Sequence, residues 1–238
     1  MTEIKVPVVR NILQANERIA AENRRRFDEA GIFVVNLMSS PGAGKTSLLE
    51  KTIDALAGRI GIAVIEGDLQ SSYDAERIQK KGVQAVQINT DGGCHLDGNM
   101  IQIALDSLDL SEVDLLIIEN VGNLVCPAEF NLGEHEKIMI LSVAEGDDKP
   151  IKYPLMFQIC SVLLVNKIDL LPYTDCDMSK IRERVAQLNA RGKIFEISCR
   201  TGEGFAPWLS WIEEKVGEHR TTRARNDSAH PAADKHCQ

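Results

Sequence analysis

Along most of the chain, short apolar runs alternate with segments whose apolar residues recur at helical spacing. Val8, Ile12, Ala15 and Ile19 stand three or four residues apart with polar residues between them, so 8–29 reads as an amphipathic helix, and Gly31 ends it. Ile32 to Met38 is a nearly continuous apolar run and predicts a buried strand. The pattern then predicts a helix over 47–56, a strand over 62–66, a helix over 75–81, a strand over 85–88 and a helix over 96–108. Strands over 113–119, 138–143 and 162–166 follow, then a helix over 177–190, a strand over 193–198 and a helix over 206–216. Strands that are apolar throughout and separated by helices belong to a mostly parallel sheet covered by helices on both faces, an α/β fold. The first helix stands outside this alternation and reads as an N-terminal extension, 1–30, ahead of a main domain over 31–217. From Glu218 the periodicity lapses into Thr, Arg, Asp, Ala and His, and 218–238 is expected to be a disordered tail.

A chain of 238 residues suffices for one such domain with a full core. Its formal charge of −8 argues against a nucleic-acid partner. The one basic run, Arg24-Arg25-Arg26, has Glu22 and Asp28 beside it and reads as a solvated helix face. No apolar run approaches the ~18 to 20 residues a membrane span needs. The first ten residues lack the apolar core of a secretory signal, so a cytoplasmic protein without membrane contact is expected. Six cysteines are scattered rather than framework-spaced, and reduced thiols are expected.

Chemistry gathers at the strand ends. Ser39-Ser40-Pro41-Gly42-Ala43-Gly44-Lys45-Thr46 follows a strand and opens a helix, the setting of a phosphate-binding P-loop. Small residues let backbone N–H groups turn onto phosphate oxygens, and the helix N-terminus adds partial positive charge. Gly42, Ala43, Gly44, Lys45, Thr46 and Ser47 are therefore the expected phosphate contacts, with Thr46 also offering its hydroxyl to Mg²⁺. Ser39 stands where the usual pattern has its first glycine. Asn166-Lys167-Ile168-Asp169 closes another apolar strand and resembles the N-K-x-D element of GTPases, whose aspartate accepts from guanine N1–H and the 2-amino group. Adenine offers neither donor and leaves that acceptor unpaired. Ser198-Cys199, at the following strand end, is placed for a second guanine contact or for a plain turn. Glu119-Asn120-Val121-Gly122 resembles the D-x-x-G switch with Glu for Asp; Glu119 can reach Mg²⁺ and Gly122 can give its N–H to a γ-phosphate. Asp68 and Asp74 are both candidates for Mg²⁺ or for orienting the attacking water. Lys45, Asp68, Asp74 and Glu119 thus form the candidate catalytic set of a Mg²⁺-dependent GTPase that turns GTP into GDP and phosphate. No residue is identifiable as an arginine finger, so slow hydrolysis is expected, as for unassisted GTPases at roughly 10⁻⁴ to 10⁻² per second.

Away from these motifs, Cys94 and His95 lie side by side after Gly92-Gly93, and Cys126 lies four residues past Gly122, beside the switch. Thiolate and imidazole suit Ni²⁺ and Zn²⁺, and a closed zinc site needs four ligands. The alternative is a buried Cys94 and a helix-capping His95.

Taken with 36–46, Gly67-Asp68, 74–77, 93–97, 119–127, 145–148 and 166–169, the chain resembles the HypB family of hydrogenase nickel-incorporation GTPases, P-loop proteins of the SIMIBI class, from about Val8 to Val216. The resemblance implies a GTP- or metal-dependent homodimer that helps deliver nickel to the [NiFe]-hydrogenase large-subunit precursor. It implies as partners a small zinc-bearing nickel accessory protein and a peptidyl-prolyl-isomerase metallochaperone. It also implies that Cys94, His95 and Cys126 hold Ni²⁺ or Zn²⁺ between two subunits, and that the loop with Asp147, Asp148 and Lys152 reaches across the dimer to the nucleotide. The Cys-rich or His-rich N-terminal motifs of some relatives are absent, so N-terminal nickel storage is not expected; His230, His236 and Cys237 read as incidental. Competing readings are a urease-type nickel accessory GTPase, which carries Cys-Pro-His at its metal position, a GTPase chaperone for a cobalamin-dependent mutase, and a GTP-binding scaffold stabilised by zinc.

Overall fold

The computed structural model describes residues 8–68 and 77–229. Seven strands form one parallel sheet in the order β3-β2-β4-β1-β5-β6-β7. They are β1 (Phe33–Ser39), β2 (Ile62–Asp68), β3 (Gln84–Asn89), β4 (Leu115–Glu119), β5 (Glu136–Ser142), β6 (Val162–Asn166) and β7 (Lys193–Glu196). β1, β4 and β6 are buried at every position, as their unbroken apolar runs require of strands covered on both faces. After β1 the chain builds the sheet outward on one side through β2, β3 and β4, then crosses to the other side for β5, β6 and β7. Ligands of such sheets bind outside the carboxyl ends of the strands near that reversal. The register places Leu37 opposite Glu119 and Glu66 opposite Glu119, so the ends of β1, β2 and β4 open on one edge.

One face is covered by the helix Lys45–Leu56 and the last helix, Phe205–Ala229, through a core that includes Leu48, Ile53, Trp208 and Ile212. The opposite face is covered by the N-terminal helix, Val8–Ala30, the helix Gly98–Leu105, and the helices Pro154–Ile159 and Met178–Leu188.

Three expectations are corrected. The N-terminal helix is no appendage: Phe27 is fully buried among Ile32, Leu116 and Leu132. Its polar face is pinned as well, since Asn23 Nδ2 donates to the carbonyls of Gly98 (2.8 Å) and Leu132 (3.1 Å) and Arg24 Nε to that of Gly133 (2.7 Å). The helix expected over 96–108 spans Gly98–Leu105 and is capped by Asp97, whose Oδ1 accepts from Met100 N at 2.8 Å, not by His95. The last helix runs on through 218–229, where a disordered tail was expected. Long-range contacts hold it there: the His219 ring lies 5.3 Å from that of Phe33, and Arg220 Nε donates to Asp114 Oδ1 at 2.7 Å. The expected helix over 75–81 falls partly, and 230–238 wholly, outside the described residues. No helix among the described residues is long and apolar enough to cross a membrane.

Candidate functional site

The P-loop leaves the end of β1 and closes on the helix Lys45–Leu56. Gly42 and Gly44 hold positive φ, +77° and +104°. At Gly44 a side chain is excluded twice over, because a Cβ there would stand 2.5 Å from Asn166 Nδ2. Ser39 replaces the usual glycine without filling the loop. It is buried, and its hydroxyl accepts from Lys45 Nζ at 2.9 Å while donating to Ser40 O at 2.6 Å. Gly122 packs against the loop, where a Cβ would come within 3.1 Å of Pro41. P-loop and switch run therefore share one wall of a cleft of about 500 Å³, lined by Lys45, Thr46, Glu66, Arg77, Glu119 and Gly122 among others.

Thr46 and Glu119 meet in that cleft, with Thr46 Oγ1 donating to Glu119 Oε1 at 3.2 Å. A hydroxyl and a carboxylate converging beside a phosphate loop are the oxygen donors Mg²⁺ prefers, so these residues fit the ion. Glu66, only 3% exposed, lines the same cleft. Asp68 is the last residue of β2 at the same sheet edge, and Asp74 lies outside the described residues.

The guanine elements assemble beside the P-loop. A second cavity, of about 260 Å³, is lined by Gly44, Ser47, Asn166, Lys167, Asp169 and Cys199 among others. Gly44, Ser47 and Lys167 border both cavities. Asn166 ties the region together: its Nδ2 donates to Ala43 O (3.0 Å) and its Oδ1 accepts from Cys199 N (3.1 Å). Lys167, held at a φ of +63°, donates through Nζ to Gly42 O at 2.7 Å. Ser198 Oγ donates to Asp169 Oδ1 at 2.6 Å and fixes that carboxylate. Cys199 thus lines the second cavity, and Ser198 stands behind it on the Asp169 carboxylate. Burial pushes the Cys199 thiol up to about 11, so the thiol stays neutral and the backbone N–H is its polar group there.

Cys94, His95 and Cys126 form one cluster, with their ligand atoms all within 4.8 Å of one another. A tight turn presents the first two, with Gly92 at a φ of +89° and Gly93 N donating to Thr90 O at 2.9 Å. Cys94 Sγ lies 3.5 Å from His95 Nδ1, and the His95 ring stacks on Phe130 at 3.8 Å. Burial lowers the His95 pKa against the opposing pull of Asp97 and Glu129, which favours the neutral imidazole a metal binds. The hydrogen bond with Cys94, then burial, raises that of the Cys126 thiol.

Two asparagines to which the sequence reading gave no role of their own join this cluster to the switch. Asn120, 1% exposed, follows Glu119 directly. Its Oδ1 accepts from Leu96 N at 3.2 Å and Val121 N at 2.9 Å, and its Nδ2 donates to Asn36 Oδ1 at 3.2 Å. Asn123 Nδ2 donates to Cys94 O at 3.3 Å while its Oδ1 accepts from Val125 N at 2.8 Å. The run that contains Gly122 is thereby bonded to the turn that carries Cys94 and His95.

The chain matches the family described as CobW/HypB/UreG, nucleotide-binding domain, over residues 33–196. It is 52% identical over 221 residues to the hydrogenase maturation factor HypB of Azotobacter vinelandii, covering 93% of this chain and 72% of that one.

The chain belongs to the HypB family.

Two solved HypB structures share its fold. That of Helicobacter pylori HypB in complex with nickel superposes with a TM-score of 0.82 at 41% identity, covering 86% of this chain and 96% of that one. That of Archaeoglobus fulgidus HypB gives 0.81 at 38%, covering 85% and 99%. Membership makes the chain a SIMIBI-class P-loop GTPase relative with a role in hydrogenase maturation and nickel handling, and the Cys94, His95 and Cys126 donor set suits nickel or zinc.

A second group among the described residues, Asp28, His135 and His219, also brings its ligand atoms within 4.8 Å of one another. Val34 N donates to His135 Nδ1 at 2.9 Å, so the neutral ring carries its proton on Nε2, which faces Asp28 Oδ1 at 2.8 Å. A metal on Nε2 would leave Nδ1 facing an N–H with no proton left on the ring. The group is a staple between the N-terminal helix, the residue before β5 and the last helix.

Proposed function

We propose that this protein is a Mg²⁺-dependent GTPase that binds Ni²⁺ as cargo at Cys94, His95 and Cys126 and helps pass it to the large-subunit precursor of a [NiFe]-hydrogenase. The observation that carries this reading is the continuity of the two sites. Glu119 and Gly122 line the nucleotide cleft, and Cys126 closes the same loop. Asn120 and Asn123 tie that loop to the turn bearing Cys94 and His95. When bound, Mg²⁺ would neutralise phosphate charge from Thr46 and Glu119. Lys45 Nζ, parked on Ser39 Oγ, is placed to turn to the terminal phosphates, and Asp68 and Asp74 are the candidates for orienting water. A γ-phosphate held by Gly122 N–H would set the switch loop in one position and its loss would release it.

Three donors leave a metal position to be completed from outside the cluster. A homodimer controlled by GTP or metal supplies one source of the missing ligand. The small zinc-bearing accessory protein and the isomerase metallochaperone implied by the family are the proposed partners. The setting is the cytoplasm.

The test is a titration of the purified protein with Ni²⁺ in GDP and in a non-hydrolysable GTP analogue, with molecular mass measured alongside. The expected result is a change in Ni²⁺ affinity of at least about fivefold between the two nucleotides, with a parallel change in dimer fraction. Metal binding that is absent, or equal in both states, would remove the nickel switch and leave the GTPase.

A further inference from the structure

Arg77 closes the matched stretch 74–77 but has no role assigned above. It lies at the wall of the phosphate cleft with Lys45, Thr46, Glu66, Glu119 and Gly122, on the side away from Asp169 and the base pocket. Its guanidinium is held in a side-on fork by Glu50, with Nε donating to Oε1 at 3.0 Å and Nη2 to Oε2 at 2.7 Å. Glu50 stands four residues after Thr46 on the same helix, so the two share a face one turn apart. The next residue, Ile78, is fully buried and fixes the backbone at this point. The other two cations lining the cleft, Lys45 and Lys167, donate to Ser39 Oγ and to the Gly42 carbonyl.

We infer that Arg77 is a catalytic arginine supplied within the chain, aimed by Glu50 at the terminal phosphates of bound GTP. The inference rests on the GTPase reading above. In the reaction, GTP⁴⁻ and water give GDP³⁻, HPO₄²⁻ and a proton. A bond forms between the water oxygen and the γ-phosphorus, the bond to the β–γ bridging oxygen breaks, and its electron pair stays on GDP. Negative charge moves onto that bridging oxygen as the bond lengthens, and a planar cation beside it stabilises the transition state more than the bound ground state. Charge and fork geometry both matter, so lysine is a poor substitute.

Single-turnover GTP hydrolysis by wild type, Arg77→Ala, Arg77→Lys and Glu50→Gln tests this, with GDP affinity and melting temperature measured on each. GTPases with and without an arginine in the chain differ between roughly 10⁻² and 10⁻⁴ per second. Arg77→Ala is therefore expected to slow hydrolysis about 10- to 100-fold while GDP affinity and melting temperature hold. Arg77→Lys should recover little, and Glu50→Gln should lie between. The alanine variant should also lose binding of GDP with aluminium fluoride, which mimics the transferring phosphoryl group. A rate unchanged in Arg77→Ala, or one that falls only in step with melting temperature, makes the pair a structural latch and overturns the assignment. No hydrolysis by the wild type would instead overturn the GTPase reading beneath it.

Discussion

Asp169 shows how much one residue's surroundings decide. A lone carboxylate near a P-loop distinguishes little, but Ser198 Oγ fixes one oxygen of Asp169 at 2.6 Å at the wall of the second cavity. Asp169→Asn keeps the shape and replaces an acceptor with a donor. GTP-over-ATP preference, measured by competition, should fall roughly 10- to 100-fold, as expected for loss of a hydrogen bond to a charged group; undiminished preference would remove Asp169 from base recognition. Residues of this kind were legible in the sequence, because a P-loop or an N-K-x-D run carries its chemistry in a contiguous stretch. The roles of Asn120, Asn123 and Arg77 were not, although all three lie in the matched stretches 74–77 and 119–127. Each acts on a partner far along the chain, Asn120 on Leu96, Asn123 on Cys94 and Arg77 on Glu50, so no local spacing marks them.

Among the elements, the strands were the most readable, since a strand covered on both faces is apolar at every position, whichever neighbours it pairs with. Helix roles were harder. The N-terminal helix looked detachable because it precedes the alternation of strands and helices, yet its Asn16 and Asn23 are buried and bonded to distant backbone groups. Residues 218–229 looked structureless because their anchors lie in β1 and before β4. The switch loop is where element structure bears on function. Asn120→Ala removes the acceptor for Leu96 N and the donor to Asn36. The ratio of Ni²⁺ affinities in GDP and in a GTP analogue should collapse toward one, at a stability cost of about 1 to 3 kcal/mol for buried groups left unpaired. A ratio equal to that of the wild type would show that coupling runs by another route.

At the scale of the whole molecule, the staple of Asp28, His135 and His219 makes stability depend on pH. The His135 side chain is 9% exposed, and burial holds its pKa down to about 4 despite the hydrogen bond to Asp28. Unfolded, the ring titrates near 6.5. Between those values the unfolded chain binds more protons, so the contribution is full above pH 6.5 and is lost as pH falls toward 4, by up to about 3 kcal/mol. Urea unfolding at pH 7.5 and 5.0 should show this loss, and His135→Gln should flatten the dependence. Equal slopes in the two proteins would place the titrating group elsewhere.

The cluster of Cys94, His95 and Cys126 has a kinetic consequence. A pocket of three donors would leave a coordination position open, so that an acceptor's ligand could enter before the pocket's thiolates and imidazole let go. Nickel handed over in that way would pass without becoming a free aquo ion. Its rate of departure would scale with the concentration of the acceptor, so the recipient, more than the donor, would set the pace of delivery.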